Sequence, residues 1–254
     1  MSRAVNFSQP LSAPSALPLL KIEILSNINS NLPILIVAPH PDDETLGCGG
    51  AIALLCQLNL PVEVLIISDG TKSHPNSLTY PAPALKKLRE RESLAALAIL
   101  GVKPEAVTFL ALPDGAVPTI EQPSWQNAIA LCRNYLSRIA PSLIFLPWRN
   151  DPHPDHRASW ELLQVTSRDL LPLPRLIEYP IWDWDTEQRR NFSESVNAWR
   201  LDINSVLNLK QNAIAQYRSQ ISDLIDDDPE GFRLTSEMLQ NFTQPWEIYI
   251  EVDL

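Results

Sequence analysis

Cysteine is scarce: the 254 residues hold three, Cys48, Cys56 and Cys132. An odd number with no Cys-x-x-Cys spacing, in apolar and helix-like surroundings, reads as reduced thiols of an intracellular protein. Basic residues are outnumbered 20 to 30 by acidic ones, a formal charge of −10. Non-specific nucleic-acid binding depends on Lys and Arg neutralising phosphates, so this balance argues against a nucleic-acid partner. No apolar run reaches the ~18–20 residues of a membrane span. Arg3 precedes a stretch broken between Pro10 and Pro18, which lacks a secretory h-region. A soluble cytoplasmic location is the expectation. Glycine is also sparse, and three of the seven, Gly47, Gly49 and Gly50, fall together. No Gly-x-Gly-x-x-Gly or Gly-Lys-Ser/Thr occurs there, so close packing of a helix is the better reading than a phosphate loop.

What is abundant is apolar residues, 45%, and proline, 23 in all. Apolar runs interrupt the prolines throughout, which excludes a disordered chain. The length buries enough apolar surface to fold without a disulfide or metal staple. Residues 1–30 read as a poorly patterned leader, with a short helix near Leu17–Leu25, and 31–254 as one domain. Strands are expected at Leu32–Ala38, Val62–Ile67, Val107–Leu110, Leu143–Leu146, Leu176–Trp182, Trp199–Ile203 and Trp246–Val252. Helices are expected at Gly47–Leu58, Ala84–Leu100, Ser124–Ile139, Pro154–Ser167 and Val206–Ile221. Alternation of strand and helix implies βαβ crossovers, hence an α/β, Rossmann-like three-layer domain with a mostly parallel sheet. The charge run Asp226–Glu230 reads as a solvated turn.

Open parallel sheets bind ligands at the carboxyl ends of their strands. Three of the four histidines lie there, in two similar tracts. Pro39-His40-Pro41-Asp42-Asp43-Glu44 follows the first strong strand, and Asp151-Pro152-His153-Pro154-Asp155-His156-Arg157 follows the fourth. Histidine with aspartate two or three residues away offers an imidazole and a carboxylate within one turn, as a divalent metal requires. A catalytic zinc takes three protein ligands and keeps an open position; spacing alone does not say which three. Elsewhere, Arg89 sits on a basic helix face, Asp114 in a Pro-Asp-Gly turn, and His74 in a loop where exposure is expected. Trp148, Trp182 and Trp184 stand near strand ends, as core or lid packing or as a platform for a sugar ring.

The two tracts together resemble the LmbE-like, or PIG-L, N-deacetylases. Supporting matches are Ser68-Asp69-Gly70, Arg89-Glu90-Arg91-Glu92, Leu112-Pro113-Asp114-Gly115, and Lys210 ahead of Tyr217-Arg218-Ser219-Gln220. The resemblance implies a hydrolase removing acetyl from an N-acetylglucosamine-type conjugate, with one Zn2+ per chain or another divalent metal in its place. It implies metal ligands His40, Asp43 and His156, Asp42 as general base, His153 paired with Asp155 and stabilising the oxyanion, and Arg89 and Asp114 as substrate contacts. Some members carry a tyrosine where this chain has Asp151. The expected partner is a small amino-sugar conjugate, and a homo-oligomer is compatible with the sequence. Two rival functions remain: a non-catalytic sugar- or nucleotide-binding module, and a two-histidine, one-carboxylate iron enzyme.

Overall fold

The β-branched and leucine-rich runs become strands because every second side chain finds a covered face. A computed structural model describes Leu17, Leu19–Leu20 and residues 32–184 and 197–251. The strands are β1 (Leu19–Leu20), β2 (Ile34–Ala38), β3 (Val62–Ser68), β4 (Val107–Leu112), β5 (Leu143–Pro147), β6 (Arg175–Tyr179), β7 (Asn197–Asp202) and β8 (Trp246–Glu251). The helices are α1 (Asp43–Gln57), α2 (Ala82–Leu100), α3 (Trp125–Ile139), α4 (Pro154–Ser167), α5 (Leu207–Ile214), α6 (Arg218–Ile221) and α7 (Ser236–Gln240). The strands form one sheet in the order β1-β7-β8-β6-β5-β2-β3-β4. Only β8 runs antiparallel to its neighbours, β6 and β7.

Ile34, Ile36 and Ala38 of β2 join a core with residues of α1, α2 and α5, whereas Leu35 and Val37 join a second core with α3 and α4. The sheet is thus covered on both sides, which explains strands that read as continuous apolar runs. Gly47 and Gly50 let α1 approach closely. A Cβ at Gly47 would stand 2.3 Å from the Tyr179 ring, and one at Gly50 2.5 Å from Ile203.

From β2 the chain builds outward through β3 and β4 on one side, then returns to place β5 and β6 on the other. The reversal leaves a crevice between the carboxyl ends of β2 and β5, where this class of sheet binds its ligands. Both His–Asp tracts open there.

Several element boundaries differ from the sequence reading. The first helix begins at Asp43 rather than Gly47, because Asp43 and Glu44 suit the positive end of a helix and the tract is itself the first turn. The single helix expected over Val206–Ile221 is broken between α5 and α6. Its apolar spacing runs through the break, but Tyr217, at the break, turns inward to bond Glu44. The strand expected over Leu176–Trp182 ends at Tyr179, and α7 lies where no helix was expected. Leu19–Leu20, within the stretch read as a helix, instead pairs with β7 as an edge strand; Lys21–Leu25 lie outside the described residues. Among the described residues no helix is long and apolar enough to cross a membrane.

Candidate active site

The tract after β2 is held by groups distant in sequence. Asp42 caps α1 with φ 139° and ψ −29°, a conformation costing a non-glycine residue about 1–3 kcal/mol. Its backbone N–H donates to Glu44 Oε2 at 3.0 Å, and Glu44 Oε1 accepts from the Tyr217 hydroxyl at 2.5 Å. Arg89 of α2 donates from Nη2 to Asp42 Oδ2 at 3.0 Å and to the Pro41 carbonyl at 2.7 Å, and from Nη1 to the Gly70 carbonyl at 3.0 Å. Gly70 has φ +65°, and a Cβ there would lie 2.9 Å from Arg89 Nη1. Asp42 is thereby fixed by a buried guanidinium.

The tract after β5 starts α4. His153 is the N-cap, its Nδ1 accepting from the Asp155 backbone N–H at 3.2 Å. The pairing of His153 with the Asp155 carboxylate expected from sequence is not what forms. In the first turn of the helix the Asp155 side chain points elsewhere: it accepts from the backbone N–H of Gly115 at 2.7 Å and of Val117 at 3.2 Å, and meets His40 Nε2 at 3.2 Å. Asp114 Oδ1 lies 3.3 Å from the same nitrogen, and its Oδ2 accepts from the Lys72 N–H at 2.7 Å.

Three donor atoms from the two tracts converge. His40 Nδ1 is 3.1 Å from Asp43 Oδ2, His156 Nε2 is 3.1 Å from the same oxygen, and the two nitrogens are 3.3 Å apart. Ligands held ~2.0–2.1 Å from a tetrahedral ion stand ~3.3–3.4 Å from one another, so this triangle has the right edge. Looser groupings also surround His40, one with His153 and His156 and one with Asp114 and Asp155, their atoms within 4.8 Å. In the tight trio, each imidazole turns its second nitrogen to carboxylates: His40 Nε2 to Asp114 and Asp155, His156 Nδ1 to Asp151 Oδ1 at 3.3 Å. Metal-binding histidines are commonly oriented this way.

The electrostatics favour positive charge at that point. Burial opposes protonation of His40, but its bonds to Asp114, Asp155 and Asp43 raise its pKa well above the ordinary imidazole range. For His156, burial is likewise outweighed by Asp43 and Asp151, and the pKa stands at about 9. Although burial works against ionisation, His156 and His40 hold Asp43 well below the usual carboxylate range. Burial pushes Asp42 up to about 8 against the pull of Arg89, and pushes Glu44 up to about 7. Burial, reinforced by His156 and His40, lowers His153 to about 4, so His153 is neutral near pH 7. Its Nδ1 is an acceptor, which leaves its proton on Nε2.

A cavity of about 220 Å³ opens over these groups. Its lining includes the polar His40, Asp42, Asp43, Lys72, Arg89, Asp114 and His153 and the apolar Leu46, Trp182, Phe232 and Leu234. Arg89 and Asp114, expected as substrate contacts, both border the cavity, and both also hold a neighbour there: Arg89 bonds Asp42 and Asp114 meets His40. Trp182 meets Phe232 edge-to-face at 5.8 Å, whereas Trp148 is buried in the core. His74, expected to be exposed, is buried against Gly231. The acidic run is a mostly exposed turn, as expected, and it also holds a loop: Asp227 accepts from the Ser77 hydroxyl and the N–H groups of Leu78 and Thr79 at 2.7–2.9 Å, and the buried Asp228 from the Asn76 N–H at 2.8 Å. It staples the long loop after β3 beside the cavity. Lys210 is buried and not part of this lining; it is paired at 2.7 Å with Glu247, which also accepts from the Gly50 and Ala51 N–H groups.

Comparison with known proteins follows the same outline. The chain is 26% identical over 222 residues to a probable N-acetyl-alpha-D-glucosaminyl L-malate deacetylase 2 of Bacillus subtilis (strain 168), covering 85% of this chain and 95% of that one. The N,N'-diacetylchitobiose deacetylase from Pyrococcus horikoshii, solved with its inhibitor MPG, superposes with a TM-score of 0.57 at 26% identity, over 82% of this chain and 80% of that one. A 4-carboxy-2-hydroxymuconate hydratase of Pseudomonas putida superposes with a TM-score of 0.62 at 20% identity, over 84% and 83%. That last likeness concerns the fold alone, and fold does not fix reaction. The profile described as PIG-L: GlcNAc-PI de-N-acetylase matches residues 35–165. That stretch is just over half of the chain and contains both His–Asp tracts, and the chain belongs to the PIG-L family.

Proposed function

We propose that this protein is a metal-dependent N-deacetylase that removes the acetyl group from an N-acetylglucosamine-type conjugate. The observation that carries the reading is the triangle of His40 Nδ1, Asp43 Oδ2 and His156 Nε2, with edges of 3.1–3.3 Å, beside the buried Asp42. Those three residues would hold the ion. A zinc or comparable divalent ion bound there supplies Lewis acidity, making water acidic near neutral pH and polarising an amide carbonyl.

The protein's own groups do the rest. Asp42, fixed by Arg89 and facing the cavity, would be held ionised against its burial by a neighbouring bound cation, and as a carboxylate it accepts a proton from the attacking water and returns it to the departing amine. His153, a neutral donor through Nε2, hydrogen-bonds the carbonyl oxygen as negative charge develops. The cavity is smaller than the ~300–1,000 Å³ usual for drug-sized ligands, which suits one sugar ring inside and the remainder of the conjugate outside. Its polar lining, with Lys72, Arg89 and Asp114, matches sugar hydroxyls, and Trp182 and Phe232 match an apolar ring face. An iron facial triad has the same donor types, but family membership favours hydrolysis.

The test is amine release from a panel of N-acetylglucosamine conjugates, with and without a chelator. Release that the chelator abolishes and zinc restores is the expected result. Failure of every conjugate, with zinc supplied, would overturn the reading.

A further inference from the structure

Asp151 is fully buried, and among the described residues its carboxylate's partners are all nitrogens. Oδ1 accepts from the His153 backbone N–H at 3.0 Å and stands 3.3 Å from His156 Nδ1. Oδ2 accepts from the backbone N–H groups of Ile181 and Trp182, both at 3.1 Å. His156 Nδ1 is itself buried and has no hydrogen-bond partner of good geometry among the described residues, and the Asp151 carboxylate oxygen 3.3 Å away is its ion-pair partner. Two oxygens therefore face four nitrogens, three of them fixed amide donors. They belong to three separate places: the turn that carries His153, the helix that carries His156, and the loop that carries Trp182 into the cavity.

We infer that Asp151 is a positioning residue that ties the metal ligand His156 to the aromatic wall of the substrate cavity. Its Oδ1 holds the His156 proton on Nδ1, which leaves Nε2 free to bind in the trio with His40 and Asp43. Its Oδ2 sets the backbone at 181–182 and so the place of the Trp182 ring. One carboxylate thereby fixes the distance between the ion and the surface on which the sugar rests. The inference depends on the metal reading above.

Asparagine separates the two demands. It keeps the size of aspartate but presents one oxygen and one NH2 group. With its oxygen toward Ile181 and Trp182, its NH2 faces His156 Nδ1, which must become an acceptor and move its proton onto Nε2. With its oxygen toward His156, the NH2 faces two backbone N–H groups and the loop loosens. Either orientation damages one end of the link.

The experiment titrates metal-free wild type and Asp151→Asn with zinc against a chromophoric chelator, and records imidazole 15N spectra and amide hydrogen exchange of both zinc-supplied proteins. Wild type should bind one ion and show a proton on His156 Nδ1. Asp151→Asn should bind zinc on the order of ten- to a hundredfold more weakly, or keep its affinity while the Ile181 and Trp182 amides exchange faster. If Asp151→Asn fails to fold, Asp151→Glu, which keeps the charge but displaces it, is expected to show the same loss. Equal zinc affinity with equal amide exchange overturns the inference, as does a bare Nδ1 in the loaded wild type. Wild type that binds no divalent ion at all instead overturns the metal reading on which it stands.

Discussion

The tracts after β2 and β5 look alike in sequence, each a His-Pro-Asp stretch at a strand end, but the backbone uses them differently. In the first, the chain turns into α1 at a strained Asp42, and His40 and Asp43 meet through the backbone itself: the His40 N–H and its Nδ1 both reach Asp43 Oδ2, at 3.0 and 3.1 Å. In the second, His153 spends Nδ1 on capping α4, so the carboxylate of Asp155 is carried across to His40 in the other tract. In the proposed mechanism the first tract contributes a ligand pair and the base; the second contributes one ligand, one neutral donor and a support for the first. Similar strings of residues thus serve different chemistry, because each side chain's direction depends on where its helix starts.

This division is open to attack, beginning with the largest effect. Asp42→Asn should lower turnover on the order of 10²–10⁴-fold while one zinc per chain is still bound; steady-state kinetics with metal analysis decide it, and near-wild-type rates would remove Asp42 as the base. His153→Gln should lower kcat roughly 10²–10³-fold with zinc affinity unchanged. Lost zinc binding there would make His153 a ligand and erase the contrast between the tracts. Asp155→Asn should act through His40, weakening zinc binding on the order of 10–100-fold in a competition titration. An effect confined to kcat would restore the His153–Asp155 pairing that the geometry rejects. The smallest effect is expected from Tyr217→Phe. Losing the hydroxyl that serves buried Glu44 should cost about 1.5–3 kcal/mol, a fall of several degrees in thermal unfolding, with zinc stoichiometry intact.

Much of this was legible in the residues. The run Leu32–Ala38 announces a fully covered strand, and His40 and His156 stand where strand ends converge. The support around them was not legible. Asp151 and Glu44 look like ordinary polar neighbours in the sequence, and Tyr217 is 173 residues from the Glu44 carboxylate it meets. The acidic run at 226–230 has the composition of a solvated turn, and only the fold shows that Asp227 and Asp228 receive backbone N–H groups of the loop after β3. His153 misled for a local reason, since its cap to Asp155 uses the backbone N–H and not the carboxylate that sequence proximity suggests.

By itself the sequence determined the alternation of strands and helices and the two strand ends where histidines and aspartates gather. Periodicity and residue chemistry are local properties, and they survive without knowledge of the fold. The tertiary structure alone decided which nitrogen of each imidazole faces the trio, which carboxylate backs it, and which loops wall the cavity. Those choices depend on distances between segments far apart in the chain, set by sheet order and helix packing, and a linear string of residues does not contain them.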